Sequence, residues 1–376
     1  MRARKLGIET GSGTPGPLNT ITDVAGVRVG HTTLIEGEGR LVVRKGPVRT
    51  GVTVIVPHGG EISEEPLFAG CHRLNGNGEL TGLEWIRESG LLASPIALTN
   101  SHSVGIVRDA LVRREIDARG PGKLFWSLPV VGETWDGCLN DINGQHVGPE
   151  HVFAALDSAS GACVAEGNVG GGTGMVAHDF KGGCGTASRI VDVESHRYAV
   201  GVLVQANHGT RATFQVNGVP VGQILSDGVV PIPLLPEEQV RGAAGSIIVV
   251  VATDAPLLPH QLSRLAQRAG FGVGALGAFG DNYSGDIFIA FSTANRGLPS
   301  MSYGAASPAV LPVEMLSLSY IDPLFQATVE ATEEAILNAM LGAETMEGRD
   351  GVVVHGLDGQ RLVEILDRYN RRTYRQ

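Results

Sequence analysis

The run Ser246–Thr253, SIIVVVAT, constrains the fold of this chain more than any other segment. Its interior is unbroken apolar and mostly β-branched, without the polar alternation of a half-solvated strand, so it reads as a strand covered on both faces. Such a strand needs a helix layer or a second sheet on each side. Comparable runs at 51–57, 94–98, 124–131, 198–205 and 286–292 are expected to be strands as well. Amphipathic segments predict helices at 103–118, 149–159, 259–269, 323–341 and 359–369. Pro259 and Pro323 stand in first turns, where proline is tolerated. Val216-Asn217-Gly218-Val219 is a type I′ hairpin signal. Strands and helices intermix from end to end, which implies an α/β class with layered sheets and helices.

No clear linker divides the 376 residues; the nearest candidate is 229–245, Pro-rich first and small-residue-rich later. With 43% hydrophobic and 18% charged residues, a sizeable core is expected and widespread disorder is not. A net charge of −10 argues against nucleic-acid binding. The basic start, Met1 to Lys5, is not followed by the apolar stretch of a secretory signal. The longest uncharged apolar run, 243–253, is too short to span a bilayer. A soluble, cytoplasmic protein is therefore expected. Cys71, Cys138, Cys163 and Cys184 form no C-x-x-C pair, and buried inert thiols are the expectation for them.

Several catalytic signatures are absent: G-x-S-x-G, H-E-x-x-H and the Walker A sequence. His146 and His151 are five apart, the wrong spacing for one helical face of a metal site. The run 167–174, GNVGGGTG, lacks the spacing of a dinucleotide loop and reads as a loop packed against other backbone. Gly245-Ser246 is different. Glycine leaves its own carbonyl open, and the serine hydroxyl that follows can attack it in an N→O acyl shift. Hydrolysis of that ester frees a serine whose α-amino group, titrating near ~8, can act as general base beside its own Oγ. On the dipeptide alone, a plain turn before a strand is the simpler reading.

The surroundings change that reading. The chain carries NTITDVAGV at 19–27, NGNGELTG at 75–82, TNSHSVG at 99–105 and ETWDG at 133–137. EGNVGGGTGM follows at 166–175, then Gly245-Ser246, ATDAPL at 252–257 and Ser284-Gly285-Asp286. In these colinear motifs, from about Gly16 to the last helix, it resembles the β-aminopeptidase and DmpA-type L-aminopeptidase/D-esterase-amidase family of self-processing N-terminal-serine hydrolases. The resemblance implies a four-layer α-β-β-α sandwich, superficially like the Ntn hydrolases but differently connected. It implies one self-processing domain cut into residues 1–245 and 246–376, which stay associated, typically as a tetramer of heterodimers. No metal or organic cofactor is implied, and the expected partner is a small peptide, amide or ester substrate.

By the same resemblance, Ser246 matches the nucleophile, Ser284 a second serine near it, and Asp286 an acidic partner. Either the α-amine or the Ser284/Asp286 pair would take the proton. Asn207 matches the oxyanion-hole amide, and Glu133 an acid that holds the substrate's free amino group. Trp135 stands where some members carry an oxyanion-stabilising Tyr; indole has one N–H and no hydroxyl, so that arrangement is not carried over. An acyltransferase of the ornithine acetyltransferase type is the alternative, disfavoured because those enzymes use Thr where this chain has Ser246. A catalytically silent binding protein is the third reading.

Overall fold

The computed structural model describes residues 1–120, 122–235, 245–300, 304 and 307–372. In chain order, the first half runs β1 (Arg28–Glu36), β2 (Val48–Val56), β3 (Leu67–Arg73), α1 (Leu83–Ser89), β4 (Leu91–Leu92), β5 (Ile96–Asn100), α2 (Val104–Arg119), β6 (Val130–Thr134) and α3 (Pro149–Asp157). A short pair, β7 (Val176–Ala177) and β8 (Phe180–Lys181), leads into β9 (Gly183–Val193), β10 (His196–Asn207) and α4 (Val221–Ile224). The remainder is β11 (Ser246–Thr253), α5 (Pro259–Ala275), β12 (Gly285–Ser292), α6 (Asp322–Gly342), the pair β13 (Met346–Glu347) and β14 (Val353–Val354), and α7 (Gly359–Arg368).

Beside those two short pairs, the two large sheets among the described residues are ordered β1-β2-β5-β6 and β4-β3-β12-β11-β10-β9. Their facing sides share one core: Ile248 and Val250 of β11 and Ile287 and Ile289 of β12 meet Ile55, Ile96, Leu98 and Val130 of the other sheet. The outer side of the six-stranded sheet, with Val249 and Val251, is covered by Leu262 and Leu265 of α5 and Ile336 of α6. The outer side of the four-stranded sheet, with Val52 and Val131, is covered by Val107 of α2 and Val152 of α3. The architecture is therefore the expected α-β-β-α sandwich. All eight residues of β11 are buried. At about 1.5–3 kcal/mol for each fully buried Val or Ile, this strand fixes where residue 246 sits.

One expected strand is corrected. The run 124–131 forms a strand only from Val130. Pro129 has no N–H to give a ladder, and Leu124 is 80% exposed. Residues 216–219 make the expected tight turn, with Asn217 and Gly218 both at positive φ, but it closes an isolated bridge rather than two strands. The glycine-rich run is a packed loop, as expected. A Cβ on Gly171 would stand 2.0 Å from Gln205 Oε1 and 2.7 Å from the Leu98 carbonyl oxygen. Cys138 and Cys184 are buried, whereas Cys71 is half-buried and Cys163, in the loop after α3, is exposed; the thiols are not uniformly interior. Of the candidate linker, 236–244 lies outside the described residues. Among the described residues, no helix is long and apolar enough to cross a membrane.

Candidate active site

Ser246 is the first residue of β11, between the last residue of β10 and the first of β12. It pairs with Asn207 on the antiparallel side and with Gly285 on the parallel side. Directly opposed residues in an antiparallel pair share a face, so the Ser246 and Asn207 side chains project together. Strand alternation puts both on the inter-sheet side, with Ile248 and Leu203. Both are buried, at 4% and 3% exposure.

The Ser246 hydroxyl oxygen accepts a hydrogen bond from the Gly285 N–H at 3.1 Å. The same N–H reaches the Gly245 carbonyl oxygen at 3.3 Å. One backbone donor thus touches both the Ser246 hydroxyl and the carbonyl oxygen of the residue before it. Residue 285 must be small here, because a Cβ would stand 2.5 Å from the Asn77 carbonyl oxygen. Asn207 is oriented by its acceptor end: the Val176 N–H donates to Oδ1 at 2.8 Å. Its Nδ2 is then the end left for a substrate oxygen.

Ser284 and Asp286 form a tight pair, the Ser284 hydroxyl donating to Asp286 Oδ1 at 2.6 Å. That oxygen also accepts the Ile247 N–H at 3.2 Å, and Oδ2 accepts Asn75 Nδ2 at 3.1 Å. Asn75 Oδ1 in turn accepts the Asp286 N–H at 2.5 Å. Burial raises the Asp286 carboxyl above its ordinary range, opposed by the hydrogen bonds of Ser284, Asn75 and Ile247. By alternation Asp286 lies on the helix side with Phe288. The pair therefore holds the start of β11 through residue 247 rather than bonding the Ser246 hydroxyl.

Glu133, near the end of β6, is 6% exposed. Its Oε1 accepts the Glu79 N–H at 2.9 Å, and Oε2 accepts the Ser101 hydroxyl. Burial raises its pKa, against the lowering effect of those two donors. Glu133 and Trp135 line a cavity of about 290 Å³ together with Asn77, Gly78, Glu79, Ser101 and Ser246. A larger cavity, about 380 Å³, opens at the other end of β5 and β6, beside Arg28, Pro95 and Pro129 and away from Ser246. Ser246, Asn207, Ser284, Asp286, Glu133 and Trp135 thus lie at one end of the sandwich, although Asn207, Ser284 and Asp286 do not line the cavity that Ser246 lines. Sequence reasoning did not single out Gly285, Asn75 or Ser101. Each lies inside or beside a quoted motif, but Gly285 acts through its backbone and the other two act on a carboxylate rather than on substrate.

The arrangement suits acyl transfer: a hydroxyl on a strand end, an amide donor beside it, a buried carboxylate able to receive an ammonium group, and a cavity lined by both the hydroxyl and the carboxylate. Residues 19–354 match the family model described as peptidase family S58. The chain is 49% identical to the β-peptidyl aminopeptidase BapA of Sphingosinicella microcystinivorans, over 98% of this chain and 93% of that one. Among solved structures it resembles a Burkholderia sp. β-aminopeptidase (50% identity, TM-score 0.89, all of both chains). It is also similar to the L-aminopeptidase D-Ala-esterase/amidase of Ochrobactrum anthropi, described as a prototype for the serine aminopeptidases and a new variant among the Ntn hydrolase fold. That likeness has 46% identity and a TM-score of 0.89, over 99% of each chain.

Proposed function

The chain belongs to peptidase family S58 and is an aminopeptidase of the amidase and esterase type; from that premise we propose that it activates itself by cleavage between Gly245 and Ser246 and then acts through an acyl-enzyme on Ser246. The observation that carries this reading is the placement of Ser246, shoulder to shoulder with Asn207 and on the rim of the cavity that holds Glu133.

In the uncut chain, the Ser246 hydroxyl attacks the Gly245 carbonyl carbon, and the Gly285 N–H stands at the carbonyl oxygen that becomes negative. Water then hydrolyses the ester, leaving residues 1–245 and 246–376. In turnover, the freed α-amine takes the hydroxyl proton as Ser246 attacks the substrate carbonyl, and returns it to the leaving amine or alcohol. The Asp286 carboxylate is already engaged by three donors, which fits a group that fixes the strand start better than one that removes a proton. Asn207 Nδ2 donates to the tetrahedral oxyanion. Glu133 binds the substrate's ammonium group, which restricts cleavage to the N-terminal residue, and Trp135 forms part of the cavity lining.

The relatives named for β-peptides support β-amino acyl groups as substrates beside α-amino acyl groups. The test is mass spectrometry of the protein trapped with a slowly deacylating β-alanyl or L-alanyl ester. The acyl adduct is expected on residue 246 of the C-terminal piece, and absent in Ser246→Ala. An adduct on another residue, or turnover that survives in Ser246→Ala, contradicts the mechanism.

A further inference from the structure

Lys181 is fully buried, yet no carboxylate pairs with it among the described residues. Its ammonium group is held by backbone carbonyls instead: Met175 at 2.7 Å, Gly182 at 2.9 Å and Gly172 at 3.4 Å. The shortest of these contacts matters most. The Met175 carbonyl belongs to the same peptide group as the Val176 N–H, and that N–H is the donor that holds Asn207 Oδ1 at 2.8 Å. The Gly182 N–H also donates to the Met175 oxygen, at 2.9 Å. A continuous line therefore runs from the Lys181 ammonium, through one peptide unit and one side-chain amide, to Asn207 Nδ2.

We propose that Lys181 is a positioning residue of the oxyanion hole, its buried positive charge transmitted to Asn207 Nδ2 through the Met175-Val176 peptide. The inference rests on the reading of Asn207 as the oxyanion donor. The physical basis is polarisation along aligned hydrogen bonds. Each donor–acceptor pair in such a chain strengthens the next, and the effect is larger where the dielectric is low. A cation on the Met175 oxygen makes the Val176 N–H a better donor. A better donor on Asn207 Oδ1 draws electron density from the amide nitrogen, so Nδ2–H binds a negative oxygen more strongly. An uncharged side chain of the same length would fill the space and leave the Asn207 amide less polarised. Paired with a carboxylate, the lysine would have its field cancelled; with only carbonyl partners in hydrogen-bond reach, the protonated lysine keeps a net charge behind the hole. Burial lowers its pKa to about 7, and Asp136, Cys138 and Cys184 are the titratable groups around it.

The test is a double-mutant cycle between Lys181→Met and Asn207→Ala, with kcat and KM taken per cleaved molecule. Lys181→Met is expected to lower kcat about ten-fold with little change in KM, less than the about 10²–10³-fold loss for removing an oxyanion donor outright. In the Asn207→Ala background, the same substitution should lower kcat no further. An equal loss in both backgrounds, or a KM effect without a kcat effect, overturns the relay. If Asn207→Ala alone leaves kcat unchanged, it is the reading of Asn207 that fails. Should Lys181→Met not fold, the infrared carbonyl band of the wild-type acyl-enzyme carries the test. The band should move to higher wavenumber as pH rises through about 7 and Lys181 loses its charge. A band that stays fixed across that range contradicts the proposal.

Discussion

Asn207, beside Ser246, and Glu133, in the cavity that Ser246 lines, answer to different charges, and their substitutions should separate kinetically. Asn207 meets charge that exists only in the transition state, so Asn207→Ala is expected to lower kcat by about 10²–10³-fold, or ~3 kcal/mol, with KM little changed. Glu133 meets an ammonium group already present in the bound substrate, so Glu133→Gln should act mainly by raising KM. The pH dependence follows from burial, which holds the Glu133 carboxyl above its ordinary range. As pH falls through that raised value, the carboxylate gains a proton and loses its attraction for the amine. Steady-state kinetics should therefore show KM rising on the acid side at a pH above that of an ordinary glutamate, and Glu133→Gln should remove that limb. Glu133 was legible in the sequence because it stands in the ETWDG motif, and Asn207 because it is a polar side chain at the end of an expected strand, where the family resemblance places an amide. Gly285 was not, because its contribution is an N–H that any residue but proline carries, and its role appears only when β11 and β12 are side by side.

Elements were legible where burial is continuous. The run 246–253 is a strand at those bounds because every residue is covered on both faces. The run 124–131 failed as a strand because apolar composition alone does not supply a ladder partner, and Pro129 withholds a donor. Helix α5 continues to Ala275, past the expected end at 269, because Val273 is packed into the core, as is Leu276 just beyond, and tertiary burial outweighs the cost of Gly270 and Gly272. The glycine-rich loop shows the reverse dependence, in which absence of a side chain lets an element form. Gly171 lies against Gln205 and Leu98, so Gly171→Ala must displace strand backbone or break the Gln205 side chain's placement. A loss of about 1–3 kcal/mol is expected from such overpacking, seen as a lowered Tm. An unchanged Tm would mean that the loop is looser than these contacts indicate.

At the scale of the whole molecule, cleavage at 245–246 would not release two bodies. Strands β11 and β12, from the C-terminal piece, sit in the middle of the six-stranded sheet between β10 and β3, from the N-terminal piece. Helix α6 is tied to the N-terminal piece through ion pairs of the buried Arg189 with Glu330 at 3.2 Å and Glu334 at 2.8 Å. The Ala3 N–H adds a hydrogen bond to Asn338 Oδ1 at 2.9 Å. Separating the pieces would expose the inter-sheet core and the core beneath α5 and α6, so the pieces should travel together under native conditions and part only in denaturant. Intact-mass measurement of the purified, active protein under denaturing conditions shows whether cutting before Ser246 creates the nucleophile. Two chains are expected, ending at Gly245 and beginning at Ser246, with Ser246→Ala remaining one chain. A wild-type protein that stays a single chain of 376 residues and still hydrolyses aminoacyl amides would contradict the account.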